Sequence, residues 1–305
     1  MAGAHTHMAI ADAAINSFPR DGNLRSIFSN NMHFLTLGSV SPDIPYLAHL
    51  AGSGFGWADI MHYHQTNGIV TDGLHSLAAA KERGSIWESQ LAWLCGFISH
   101  LVADATIHPI VESIVGPYSN KDNRGNHQQC EMFQDVIIFK EFKNMQLTNS
   151  EYADFLHDAI DSNKFSDVAA FWKTHAEVNC SMYGSFNVEG IIESYTNMLD
   201  TASGGNIFAR MFRHLGKDII YPSYNEIIEN SPDLVDKYYR NVLLPDGSTG
   251  SFLTEGFNRA VDNLVNVWKD VEGILFDSGN FQSIVPNWNL DTGIDQTTGI
   301  RTYWS

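Results

Sequence analysis

Basic residues are scarce in this sequence. Its 18 lysines and arginines stand against 35 aspartates and glutamates, which gives a formal net charge of −17 at pH 7. A surface this acidic repels phosphate backbones, so sequence-independent binding to long nucleic acid is disfavoured. Metal cations would reverse the field inside a single pocket. The charge therefore argues against long nucleic acid as a partner but leaves a metal-lined pocket open to anions.

Cysteines and long apolar runs are also few. The three cysteines form no CxxC pair and cannot all pair within one chain, so they indicate thiols rather than a disulfide framework. No apolar run approaches the ~18 residues that span a bilayer, because Ser99 and His100 interrupt the longest one. We therefore expect no transmembrane segment. Residues 1–3 carry neither a basic nor an apolar leader, and we expect no signal peptide in this chain.

Strand signals are rare, whereas apolar residues recur at helical spacing along most of the sequence. Helices are predicted at Met8–Ser17, Trp87–His108, Glu131–Phe142, Ser150–Asp161, Phe165–Asn179, Val188–Thr201, Ile207–Tyr221, Leu234–Val242 and Glu255–Leu275. There is no internal repeat or long linker. We therefore expect one all-α domain over residues 1–305, in which residues 138–305 pack around residues 1–137. An irregular tail from about residue 278 is expected to be anchored by Trp288 and Trp304.

Histidines concentrate in the first half, where ten of the 13 lie at or before His127. His100 and Asp104 form an HxxxD pair, and His108 continues the same stripe by one turn. His127 and Glu131 form an HxxxE pair. Residues four apart share one helix face, so each pair presents an imidazole and a carboxylate to one point, as a borderline divalent metal requires. One such pair alone is more often a buried polar group bonded to backbone. Two pairs together indicate a metal site.

The order of residues within the pairs bears on the metal. A di-iron carboxylate site uses Glu-x-x-His, with the carboxylate first and a spacing of three. Here the histidine comes first and the spacing is four. This order favours zinc with mixed histidine and carboxylate ligands.

Five segments of the first half share one further pattern. In chain order they read THMAIADAAI (6–15), SPDIPY (41–46), ADIMHYHQTNG (58–68), GFISHLVADATIHP (96–109) and HQQCEMFQDVI (127–137). Together they resemble the zinc-dependent phospholipase C family. That family includes bacterial phospholipases C and the phospholipase D that cleaves glycosylphosphatidylinositol anchors, and it is distantly related to zinc nucleases of the P1/S1 type. The resemblance implies an all-helical, phospholipase C/P1 nuclease-like bundle with a polynuclear zinc cleft.

The resemblance also implies two or three Zn²⁺ ions and a ligand set. That set is His7, Asp43, His62, His100, Asp104, His108, His127 and Glu131. The first zinc takes Asp43 and His62 together with His100 and Asp104, and Asp104 bridges to another zinc. The second zinc takes His108, His127 and Glu131.

The third zinc would be held by His7, Asp104 and the N-terminal region. Several family members complete this site with an N-terminal tryptophan, which this sequence does not have. His5 is one candidate replacement, because His5 and His7 would point the same way in an extended segment. The alternatives are that Ala2 or Gly3 completes the site after processing, or that the third zinc is absent.

Other residues of these segments are expected around the metals. Asp59 and His64 flank His62 and would orient imidazoles or hold waters. Asp135 lies one turn after Glu131 and is expected on a solvated helix face. Four aromatic residues of the metal-bearing segments would line the cleft and contact a cationic head group, namely Tyr46, Phe55, Trp57 and Tyr63.

The expected activity is zinc-dependent hydrolysis of a phosphoric ester by a zinc-bound hydroxide, with Asp43 as general base. By resemblance the substrate is a phospholipid or another small phosphodiester, reached through transient contact with a membrane surface. The resemblance also suggests a secreted or periplasmic protein. Two alternatives keep the same metals: a nuclease or nucleotidase, and a zinc-assisted lyase or isomerase. A structural zinc site is a third, although such sites are usually closed and rich in cysteine.

Overall fold

Helices make up nearly all the secondary structure that the computed structural model describes, which covers residues 3–47, 55–147, 150–179, 184–193, 222–277 and 284–304. Helices α1 to α10 lie at Ala4–Ser17, Asn23–Asn30, Met32–Val40, Ile44–Leu47, Phe55–Tyr63, Gly68–Ala79, Ser85–Val115, Arg124–Lys143, Tyr152–Asp161 and Phe165–Asn179. Helices α11 to α13 lie at Tyr224–Asn230, Pro232–Val235 and Arg259–Phe276, and residues 188–193 are also helical. The all-α expectation is confirmed.

Short irregular elements complete the described chain. Lys121–Asn123 forms a 3₁₀ turn before α8, and π-helical turns at Asp236–Arg240 and Phe252–Asn258 follow α12 and precede α13. Two antiparallel strand pairs are present: β1 (Val242–Leu243) with β2 (Thr249–Gly250), and β3 (Trp288–Asn289) with β4 (Ile294–Asp295). The second pair lies in residues 284–304, which we call the tail.

Helix α7 is the centre of the bundle. It is 31 residues long, and every residue from Leu91 to Val111 is buried. By length and composition it is the one described helix that could cross a membrane, with a mean hydropathy of 1.4, but that stretch is entirely buried inside the protein. Such burial is typical of the core helix of a bundle, and it is consistent with the expectation of no transmembrane segment. Ser99 and His100 interrupt the apolar run without making the helix polar.

Helices α3 and α7 cross at two facing glycines. A Cβ atom on Gly38 would lie 2.1 Å from the carbonyl oxygen of Trp93, and one on Gly96 would lie 2.1 Å from that of Leu35. Only glycine allows two backbones to approach so closely. This contact holds the C-terminal end of α3, and the turn that follows it, against the middle of α7.

Several predicted helices differ from the observed ones. Phe165–Asn179 is found as predicted, whereas α7 and α8 extend beyond their predicted bounds in both directions. Leu234–Val242 is replaced by α12 and a π-helical turn, and α2, α3, α5, α6 and α11 were not predicted. The predicted helix Ile207–Tyr221 and the end of Val188–Thr201 lie outside the described residues.

The tail is folded onto the bundle. Trp288 is fully buried, and its Nε1 donates a hydrogen bond to Thr302 Oγ1 at 2.8 Å. The Nε1 atom of Trp304 donates to the Thr106 carbonyl of α7, also at 2.8 Å. The tail thus contacts the helix that carries three of the eight predicted metal ligands.

The glycine crossing predicts opposite effects for two glycine-to-alanine substitutions. Gly38→Ala should lower the free energy of unfolding by about 1–3 kcal/mol or more, because the new methyl group meets backbone that cannot move aside. Gly273→Ala in α13 is the matched control. A Cβ there meets nothing within 4 Å, so the better helix propensity of alanine should raise stability by up to about 1 kcal/mol. Urea unfolding of both variants measures the difference, and equal stabilities would contradict the close crossing.

Candidate metal centre

Four elements bring the predicted ligands of the first and third zinc together. Helix α1 provides His7, the turn after α3 provides Asp43, and α5 provides His62. Helix α7 provides His100 and Asp104, with His108 one turn further on. The three residues of α7 are 0% exposed, and Asp43 is 6% exposed.

The Asp104 carboxylate lies at the middle of this cluster. Its Oδ1 atom is 3.2 Å from His7 Nε2 and 3.0 Å from His108 Nε2. Its Oδ2 atom is 3.2 Å from His100 Nε2 and 3.9 Å from His62 Nε2. Both carboxylate oxygens therefore face imidazole nitrogens that come from three different helices.

Asp43 forms a second group with two of these histidines. Its Oδ1 atom is 3.1 Å from His62 Nε2 and 3.7 Å from His100 Nε2, and the two Nε2 atoms are 3.4 Å apart. Two trios of this cluster have all their ligand atoms within 4.8 Å of one another. They are His7–His100–Asp104 and Asp43–His62–His100. They share His100, so the two candidate metal positions are adjacent.

Backbone carbonyls fix the state of three of these imidazoles. The Nδ1 atom lies 2.8–3.0 Å from a carbonyl oxygen in the pairs His62 with Ala58, His100 with Ser39 and His108 with Leu290. Only an N–H can bond to a carbonyl, so Nδ1 carries a proton, and Nε2 is the atom that faces the cluster and presents a lone pair whenever the ring is neutral. Each of these lone pairs faces a carboxylate oxygen or another Nε2. Such acceptors repel one another unless a cation lies between them, which is the arrangement that a zinc ion requires.

The pKa values of the buried carboxylates and of His127 also suit metal binding. Burial raises the pKa of Asp104, but the neighbouring His108 and His100 imidazoles outweigh it and hold the pKa well below its usual range. For Asp43, too, burial is opposed by His100 and His62, and the pKa is lowered. Both carboxylates are therefore ionised at neutral pH, as metal ligands must be. Burial lowers the pKa of His127 to about 4, which keeps that imidazole neutral.

The predicted ligands of the second zinc surround a tyrosine that the sequence analysis missed. The Tyr118 hydroxyl donates to Glu131 Oε1 at 2.7 Å. Its ring centroid is 3.7 Å from that of His127 and 4.9 Å from that of His108. Among the described residues these three ligands do not form a converging trio of their own. Tyr118 lies between them and fixes Glu131 through its hydroxyl.

The surroundings of His5 and Asp135 differ from the expected ones. His5 and His7 both lie in α1 rather than in an extended segment, and residues two apart on a helix point in different directions. His5 Nδ1 instead lies 3.8 Å from Asp135 Oδ2. Asp135 is fully buried, and its Oδ1 accepts hydrogen bonds from Thr6 N at 2.8 Å and Thr6 Oγ1 at 2.6 Å. It therefore ties the start of α1 to α8 and does not face solvent.

Asp59 and His64 flank His62 but lie in different surroundings. His64 was expected to contact the cluster. It is exposed instead. Asp59 Oδ1 accepts a hydrogen bond from the Tyr46 hydroxyl at 2.9 Å, and the Tyr46 ring centroid lies 5.1 Å from that of His62. Asp59 thus acts on the tyrosine beside His62 rather than on an imidazole.

The other aromatic residues expected to line the cleft lie in different surroundings. Trp57 is buried against Phe186, with ring centroids 4.6 Å apart, so it belongs to the core. Tyr63 is partly buried, and its hydroxyl donates to Asp291 Oδ1 of the tail at 3.4 Å. The side chain of Phe55 lies outside the described residues. Tyr46 and Tyr63 are therefore the expected aromatics that lie next to the candidate centre.

The tail contributes one backbone unit to the cluster. Leu290 N donates to the His62 carbonyl at 2.9 Å, and Leu290 O accepts from His108 Nδ1 at 2.8 Å. No sequence pattern marks this residue, because any side chain could occupy a position that acts through its backbone.

Comparison with known proteins gives one finding. A family model described as zinc dependent phospholipase C matches residues 6–185, which is more than half of the chain. The matched range contains every predicted ligand from His7 to Glu131 and ends before the tail. No match was found among curated proteins or among solved structures.

Three substitutions should separate the ligands from their neighbours. Asp104→Asn keeps the size but removes the charge that faces four imidazoles, so zinc content should fall by more than one equivalent. Glu131→Gln should lose about one equivalent. Asp135→Asn is the control, because its contacts are to Thr6 and His5. It should keep full zinc and lose about 1–3 kcal/mol of stability.

Metal analysis after zinc loading and gel filtration measures these three outcomes. Full zinc in Asp104→Asn would show that this carboxylate does not bridge two ions. Equal zinc loss in Asp135→Asn would show that the effect is general unfolding.

Proposed function

This chain belongs to the zinc-dependent phospholipase C family, and from that premise we propose that it hydrolyses the phosphodiester of a phospholipid or of a related small molecule. Membership in this family implies a zinc-dependent hydrolase. The observation that carries the proposal is the buried convergence of Nε2 lone pairs on Asp43 and Asp104. Mixed histidine and carboxylate ligation of this kind is typical of zinc sites that keep a position open for substrate.

We propose two or three zinc ions. One would be held by Asp43, His62, His100 and Asp104. Another would be held by His7 and Asp104 with the N-terminal region, so that Asp104 bridges the two ions and the single Nε2 lone pair of His100 serves only the first. His108, His127 and Glu131 hold a further ion. Tyr118 contacts these ligands, so an ion bound by all three would require the Tyr118 ring to move.

Bound zinc lowers the pKa of a coordinated water to about 7 and neutralises charge on phosphoryl oxygens. Asp43 is the general base. It is the most exposed residue of the two trios, which favours it as the carboxylate that incoming water reaches. Its lowered pKa keeps it ionised and able to accept the proton of the attacking water. The His100 and His108 rings stay oriented throughout, because their Nδ1 atoms remain bonded to carbonyls.

The cleft edge favours a head group with positive charge. Tyr46 pairs with Asp59, and Tyr63 pairs with Asp291, so aromatic faces and carboxylates alternate beside His62. Burial raises the pKa of Tyr46 and of Tyr63, so both hydroxyls stay protonated as donors. Such an edge binds a cationic head by cation–π and charge contacts. The net charge of −17 disfavours long nucleic acid, and substrate from a lipid surface requires only transient contact.

A panel of phosphodiesters tests the proposal. Phosphatidylcholine in mixed micelles, bis(p-nitrophenyl) phosphate and single-stranded DNA are compared with and without chelator. We expect zinc-dependent release of phosphocholine, restored by added zinc, and little cleavage of DNA. Preferred cleavage of DNA would favour the nuclease alternative. No cleavage of any ester by zinc-loaded protein would leave the lyase, isomerase or structural alternatives.

Asp43→Asn should lower kcat by about 10²–10⁴-fold, the usual contribution of a general base. Zinc content is measured on the same sample. Full zinc with low kcat assigns the loss to proton transfer, and reduced zinc assigns part of it to metal binding. Asp59→Asn is the control. It should raise KM for phosphatidylcholine and leave kcat near that of the wild type, because Asp59 contacts Tyr46 and no imidazole of the cluster. Unchanged activity in Asp43→Asn would refute its role.

A further inference from the structure

The tail packs on α7 at Pro109, the residue directly after His108. Proline has no backbone N–H, so the carbonyl of Ala105, four residues earlier, loses its helical hydrogen-bond partner. The tail approaches this carbonyl at Gly293. A Cβ atom on Gly293 would lie 2.5 Å from Ala105 O and 2.8 Å from Pro109 Cγ. The φ of Gly293 is +65°. Glycine is therefore favoured here for two reasons, the close approach to α7 and the positive φ.

Further contacts hold the tail along the same face. Trp304 Nε1 donates to Thr106 O at 2.8 Å, which is the next carbonyl of α7. One turn beyond Pro109, Glu112 Oε2 accepts from Arg301 Nη2 at 2.8 Å. On the side of α5, Thr66 Oγ1 donates to Trp288 O at 2.9 Å. The tail is thus bound on both sides of Leu290.

Leu290 joins two ligand-bearing helices through one peptide unit. Its N–H donates to the His62 carbonyl of α5, and its carbonyl accepts from His108 Nδ1 of α7. His62 and His100 receive their orienting carbonyls from residues 58 and 39, inside the range that the family model matches. His108 receives its orienting carbonyl from residue 290, which lies far outside that range.

We propose that the tail is a positioning element of the metal centre, which fixes the tautomer and ring orientation of His108 through Leu290 O. The proposal rests on the assignment of His108 as a zinc ligand under the proposed function. A carbonyl bonded to Nδ1–H raises the basicity of Nε2 and holds it toward the ion, and loss of such a partner typically weakens metal binding 10–100-fold. Gly293 is the position at which a single methyl group would displace Leu290 from His108.

Gly293→Ala tests the proposal against Gly299→Ala. Both glycines have positive φ, +65° and +73°, so both substitutions carry the same backbone strain. A Cβ at Gly299 meets nothing within 4 Å, whereas one at Gly293 meets α7. We expect Gly293→Ala to weaken the binding of one zinc about 10–100-fold. Gly299→Ala should bind like the wild type. Chelator competition measures affinity at a temperature where both apo-proteins are folded.

Cobalt substitution provides a second readout, because the visible spectrum of bound Co²⁺ reports ligand geometry. Gly293→Ala should change this spectrum and Gly299→Ala should not. If Gly293→Ala does not fold, Trp304→Phe replaces it. That variant removes the bond to Thr106 O and keeps an aromatic ring for the contact with Arg259, so it should produce a smaller change of the same kind.

The outcomes separate this proposal from the proposed function. A lower apo-protein melting temperature with unchanged zinc affinity and cobalt spectrum would mean that the tail only stabilises the fold, and would overturn the inference. A wild-type protein that binds no zinc would instead overturn the proposed function.

Discussion

The Asp104 carboxylate is the fixed point of the structure, because it is an ionised group in a dry interior with imidazole lone pairs directed at it from three helices. Burying such a set without a cation costs several kcal/mol. The surrounding residues nevertheless maintain it, through carbonyls that hold the protons of His62, His100 and His108 away from the carboxylate. The first half of the chain therefore presents a buried and oriented set of ligand atoms for a cation. Binding of metal and completion of the fold are linked for the same reason.

The Gly38–Gly96 crossing supplies two parts of this arrangement at once. It places Ser39 O 3.0 Å from His100 Nδ1, and it sets the turn that carries Asp43 beside the same ring. A side chain at either glycine would separate the helices and move both groups away from His100. The spacing from Gly38 to Asp43 and from Gly96 to His100 is therefore as much a part of the centre as the ligands are.

The sequence predicted those features that depend on local spacing. His100, Asp104 and His108 repeat every four residues, so their shared face follows from helical geometry once the helix is assigned. The all-α class follows from the same periodicity. Helix α3 was missed because it is buried on nearly all sides and shows little amphipathic pattern.

Other features depend on tertiary contacts that leave no local signal. The extended segment expected around His5 is helical instead, because α1 begins at Ala4, four residues earlier than the periodicity indicates. Asp135 was placed in solvent because nothing in its neighbourhood shows that Thr6 packs against it. Tyr118 follows a Gly-Pro turn, which predicts a loop but not its direction.

The contact between Leu290 and His108 joins residues 182 positions apart and has a consequence for biosynthesis. As the chain leaves the ribosome, all the ligands proposed for the centre emerge long before the peptide unit that orients His108 has been made. A nascent chain that meets zinc can therefore bind it only with His108 free to rotate. Under the proposed role of the tail, zinc held by His108 would become tightly bound only after the tail has docked on α7, so the last segment to fold would set the time of tight binding.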